Sequence, residues 1–162
     1  AAPIEHKAFE KKTKAYIDAF KQKRNDRDNI KFESSLRWQY IYVSLCNHCM
    51  YQLGLDIHEK AKDETWTRFS VKNQDGANIL ILSIINQAND KSICVRFLNQ
   101  DSTQNDATSI LASLQRVDAK FKSIGSWIGK IDLSKSLSDT DTFIIETKKL
   151  LTNVIAEISG LN

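Results

Sequence analysis

Residues 64–72 (ETWTRFSVK), 78–86 (NILILSIIN) and 92–99 (SICVRFLN) read as consecutive strands of one antiparallel meander. Turn-rich segments separate them, Asn73-Gln74-Asp75-Gly76 and Gln87-Ala88-Asn89-Asp90-Lys91. In the first run Thr65, Thr67, Phe69 and Val71 alternate with Trp66, Arg68, Ser70 and Lys72, the pattern of a strand with one wet face. Residues 79–85 are nearly continuous apolar and β-branched, which predicts a central strand covered on both faces. In the third run Ile93, Val95 and Phe97 alternate with Cys94, Arg96 and Leu98.

Helical patterns lie on both sides of the meander. Residues 4–24 carry Phe9, Thr13, Tyr16, Ile17 and Phe20 on one stripe, with Lys7, Lys11, Lys14 and Lys21 elsewhere. The polar segment 25–29 then reads as a loop. Over residues 34–54, Trp38, Ile41, Tyr42, Leu45, Cys46, Cys49, Met50 and Leu53 follow helical spacing. Ser34 or Ser35 is placed to cap the start and Gly54 to end the run. Alternation of Trp38, Tyr40 and Tyr42 argues for a strand in residues 35–53, but the helical pattern is longer and has both end signals.

Residues 55–63 form a charged connector, with room for a short extended piece at residues 55–57. Beyond the meander, Ile110, Leu111, Leu114, Val117 and Phe121 mark a helix face, and Gly125 ends it. Residues 126–133 (SWIGKIDL) alternate as a fourth strand or an extended crossover. Ser138 is placed to cap a last helix, whose stripe is Phe143, Thr147, Leu150, Val154 and Ile158, joined by Ile144, Leu151 and Ile155. The expected fold is α+β in a single domain, residues 1–162. A three- to four-stranded antiparallel meander is flanked by N-terminal and C-terminal helices.

Composition sets the broad class. With 41% hydrophobic and 27% charged residues the chain is globular in character. No apolar run approaches the roughly 20 residues of a bilayer span, so no membrane is expected as a partner. The start, Ala1-Ala2-Pro3-Ile4, lacks a charged segment followed by an apolar one, and no signal peptide is read there. Cys46, Cys49 and Cys94 are an odd, low set of thiols, which fits a reducing, intracellular compartment, cytoplasmic or nuclear.

The net charge of +3 is uneven. Residues 1–37 hold ten Lys or Arg against six Asp or Glu, and residues 38–162 hold thirteen against fourteen. The excess positive charge therefore sits at the N-terminal end.

Motifs for chemistry are sparse. Cys46-Asn47-His48-Cys49, with His58 further on, offers weak metal candidates in Cys46, Cys49 and His58. A second Cys or His pair at zinc spacing is missing. The element order parallels the core of metal-dependent nucleases of the PD-(D/E)xK type, an analogy of topology alone. Such an enzyme needs acids in its second and third strands to hold Mg²⁺. Here those strands are Ile79-Leu80-Ile81-Leu82-Ser83 and Ile93-Cys94-Val95-Arg96-Phe97, without an acid. Glu146-Thr147-Lys148 has the right triplet but lies in a helical pattern. Neither a Gly-rich phosphate loop nor a GxSxG elbow is present, and no catalytic residue or cofactor is expected.

The expected role is non-catalytic binding: a protein–protein interaction module of a larger assembly, with a protein partner or self-association. The alternative is a nucleic-acid-binding accessory domain. Its contacts would be Lys7, Lys11, Lys14, Lys21, Arg24, Arg37 and Arg68, with Trp38 stacking on unpaired bases. A divergent nuclease-like domain is the third reading.

Overall fold

The computed structural model describes residues 11, 13–15, 18, 30–76, 78–99, 104–134 and 139–160. Helix α1 (Ile30–Asn47) continues into a π-helical turn (His48–Gln52). Strands β1 (Asp56–Lys60), β2 (Trp66–Lys72), β3 (Asn78–Gln87) and β4 (Asp90–Phe97) follow, then helix α2 (Gln104–Val117). Strands β5 (Lys122–Ile124) and β6 (Trp127–Asp132) precede the last helix, α3 (Thr140–Ser159).

The strands form one six-stranded antiparallel sheet in the order β1-β2-β3-β4-β6-β5. The meander is as expected, but the sheet is wider than the three to four strands that alternation revealed. β1 and β5 account for the difference. Both are short and solvent-facing, so neither shows an inward periodicity. The stretch at residues 126–133 is a true strand, β6, paired with β4.

β3 lies inside the sheet, and both of its faces are buried: Leu80, Leu82 and Ile84 on one side, Ile81 and Ser83 on the other. Register sets the core. Phe69, Leu82, Val95 and Gly129 align across β2, β3, β4 and β6. Thr67, Ile84, Ile93 and Ile131 form the next row. Helices α1, α2 and α3 pack over these rows, with α1 against β3, α2 against β6 and α3 against both other helices.

α1 is buried more completely than an amphipathic stripe requires. Every residue from Ile41 to Cys46 is buried, so this part of the helix is enclosed on all sides. It begins at Ile30, which places Ser34 and Ser35 inside the helix rather than at its cap. Gly54 follows the π-turn with φ +67°, the left-handed position expected of it.

Two further expectations are corrected. α2 ends at Val117, and Phe121 reaches the core from the turn that follows, so it is not part of the helix face. Gly125, φ +58°, turns the β5–β6 hairpin and caps no helix. The cap of α3 is Asp139, whose carboxylate accepts from the backbone N–H groups of Asp141 and Thr142. Ser138, the loop at residues 25–29 and most of the N-terminal helical pattern lie outside the described residues. Within that pattern, residues 11, 13–15 and 18 are helical.

Candidate interaction surface

Among the described residues expected to contact nucleic acid, Arg37 and Trp38 lie on one face of the sheet and Arg68 on the other. Lys11 and Lys14 are exposed, while Lys7, Lys21 and Arg24 lie outside the described residues. Arg37 and Trp38 sit on α1, on the helical side of the sheet. Arg37 Nε donates to Thr140 Oγ1 at 2.8 Å. The Trp38 ring meets Phe143 edge-on at 5.9 Å, and Lys91 Nζ lies 5.8 Å from its centre. Arg68 alternates with the inward Thr67 and Phe69, so it points to the opposite face. There its guanidinium covers the Trp66 ring at 4.3 Å and pairs with Glu59 at 3.1 Å. Trp66 and Arg68 therefore stack on each other.

The thiols belong to the core. Cys46 and Cys49 point inward from α1 and the π-turn, and His58 is exposed on β1. Burial pushes the Cys46 thiol up to about 12 and Cys94 up to about 11. Among the described residues, no group of three or more His, Cys, Asp or Glu is placed to hold a metal ion. Glu146-Thr147-Lys148 is helical, with Glu146 exposed and Thr147 buried.

On the sheet face away from α1, α2 and α3, Asp90 bridges two neighbours. Lys130 Nζ donates to its Oδ2 at 2.8 Å and Ser92 Oγ to its Oδ1 at 2.7 Å. This cluster fastens β4 to β6. Ser92 is fully buried and its hydroxyl is committed to the carboxylate, so it offers no nucleophile to solvent.

Both sheet edges are poor templates for an added strand. β1 is charged and bulged between Ile57 and Glu59, and β5 is three residues long with its own register shift.

The remaining apolar feature is on α3. Ile145 is 55% exposed, one of two large hydrophobic residues so placed among the described residues; the other is Ile124 on β5. A helix turns about 100° per residue, so Phe143, Ile144 and Ile145 cannot all face inward. The first two do, and Ile145 is left outside. That run of three apolar residues was the signal in the sequence for an exposed isoleucine.

Beside Ile145 is a shallow cleft of about 460 Å³, lined also by His48, Lys148, Lys149, Thr152 and Asn153. The π-turn supplies its far wall. His48 Nε2 and Thr152 Oγ1 are 2.9 Å apart. Thr152 directs its own proton to the Lys148 carbonyl at 2.9 Å, so the imidazole Nε2–H is the donor. Burial and then the nearby Lys148 ammonium lower the His48 pKa, which favours the neutral ring. Asn47 Nδ2 donates to Thr13 Oγ1 at 2.6 Å, bringing the segment with exposed Lys11 and Lys14 to this end of α1.

Compared with known proteins, the chain matches no family model, no curated protein sequence and no solved structure. Among the described residues no helix is long and apolar enough to cross a membrane.

Proposed function

We propose that this chain is a non-catalytic protein-interaction module that engages its partner through the outer face of α3. The observation that carries this reading is Ile145, exposed at the mouth of a cleft rimmed by Lys148 and Lys149. Covering the exposed half of this side chain contributes about 1–1.5 kcal/mol, and the flanking ammonium groups select the approach of a partner. Blunted sheet edges turn the reading away from strand addition and toward a helix face. Crosslinking of the native and Ile145→Glu chains in cell extract, read by mass spectrometry, tests it. Links from Lys148 and Lys149 to another protein chain are expected in the native protein and lost in the variant. Links that persist unchanged in the variant sink the reading.

Nucleic-acid binding is the second reading, favoured by one observation. The Asn47–Thr13 bond sets the segment bearing Lys11 and Lys14 at the end of α1 that also carries the lysine-rimmed cleft. Affinity for single-stranded oligonucleotides would then fall steeply with salt and be lost on charge reversal of Lys11, Lys14, Lys148 and Lys149. Salt-independent binding excludes it.

A further inference from the structure

Along the solvent side of α3, Asp141, Ile145 and Lys149 succeed one another at a spacing of four residues, and all three are exposed. The ridge they form has an apolar centre, a negative end and a positive end. Each charge stands about 6 Å along the axis from Ile145. Such a ridge is self-complementary in one orientation only. Turned antiparallel about a two-fold axis through Ile145, it sets Ile145 on Ile145 and Asp141 against Lys149 at both ends. Thr142 then meets Lys148. A parallel pairing sets Asp141 on Asp141 and Lys149 on Lys149, which repels twice. An antiparallel pairing centred on Lys149 brings the two ammonium groups together.

We propose that the partner at this surface is a second copy of the same chain, joined α3 to α3 in an isologous antiparallel pair centred on Ile145. The inference rests on the interaction reading above and names its partner. The cleft beside Ile145 gives the opposing isoleucine a place to seat, between the helix and the π-turn. Closed two-fold pairing is the commonest symmetry of self-association, and it uses one patch twice. Asp141 also accepts a long hydrogen bond from Tyr40, 3.4 Å, which steadies the carboxylate near the N-terminus of α3. The contact is one helix ridge wide, so the dimer is weak and concentration-dependent.

Sedimentation equilibrium of the purified full chain, from about 10 µM to about 1 mM, reads the pairing directly. Ile145→Glu is expected to weaken the dimer at least about tenfold. Asp141→Lys alone and Lys149→Asp alone are each expected to be monomeric, because like charges then face each other at both ends. An equimolar mixture of these two variants is expected to associate to within about threefold of the native affinity, since each end regains one of each sign. All three positions are exposed, and circular dichroism checks that each variant is folded. A native chain that stays monomeric throughout overturns the proposal, as does a dimer indifferent to Ile145→Glu or a mixture that fails to associate. If the chain is monomeric yet still loses a crosslinked partner on Ile145→Glu, the self-pairing falls and the interaction reading stands. If no crosslink depends on Ile145, both fall.

Discussion

Tyr42 and Thr67 share a hydrogen bond through their hydroxyl groups, and it fastens α1 to β2. Both residues are buried, and burial holds the Tyr42 phenol far above its usual pKa. The Cys46 thiol bonds to both hydroxyls, so the three groups satisfy one another inside an apolar layer. Tyr42→Phe is expected to cost about 1 kcal/mol, since Thr67 keeps its thiol partner. Thr67→Val in the Tyr42→Phe background should cost less than in the native chain, with a coupling of about 1 kcal/mol. Urea denaturation of the four proteins measures it; strict additivity would show that the bond contributes nothing.

Gly129 is the small member of the row that runs Phe69, Leu82, Val95, Gly129. A Cβ there would lie 2.5 Å from Leu114 Cδ1 and 3.4 Å from Phe121 Cδ1. Leu114 thus occupies the space a side chain on β6 would need. Gly129→Ala should destabilise by about 1–3 kcal/mol through overpacking. Leu114→Val should be less costly in that background than alone. Equal costs in the two backgrounds would show that the clash is not the cause.

The lowered pKa of His48 makes stability pH-dependent. The unfolded chain takes up the proton near the ordinary value of about 6.5, before the folded chain does. Below that pH the unfolded state holds more protons, so stability falls as pH falls, until the folded ring also titrates. The native protein should lose more stability between pH 7 and pH 5 than His48→Gln. Parallel stability curves for the two proteins would contradict a lowered His48 pKa in the folded chain.

All three cysteines are free and buried. With Cys46 pushed up to about 12 and Cys94 to about 11, and Cys49 raised well above its usual value, little thiolate exists at neutral pH. A disulfide reagent should titrate three thiols in denaturant and react with the native protein only at its opening rate. Immediate native reaction at any thiol would show that the core is open to solvent there.

The central meander was readable because β2, β3 and β4 each bury at least one face and so display a period of two or a continuous apolar run. β1 and β5 were hidden because they are short and most of their side chains, such as Lys60 and Lys122, are exposed, which leaves no inward period to read. Phe121 fell in phase with the α2 stripe by coincidence, filling core space from a turn. Cys46 and Cys49 were legible as core from their helical spacing. The surface on α3 was not read from the stripe, because the residues that stabilise a helix and the residue left over differ only in angle. Ile145 shows itself by being one apolar residue too many for the inner arc.

The order in which the sheet is assembled has a consequence for synthesis. β1 to β4 are sequential neighbours and can pair as each emerges from the ribosome, but the other side of β4 waits for β6, beyond α2 and β5. A nascent chain halted before Trp127 presents β4, with Ile93 and Val95, as a bare edge. Until translation reaches β6, that strand is the place where this protein is most open to pairing with the wrong chain.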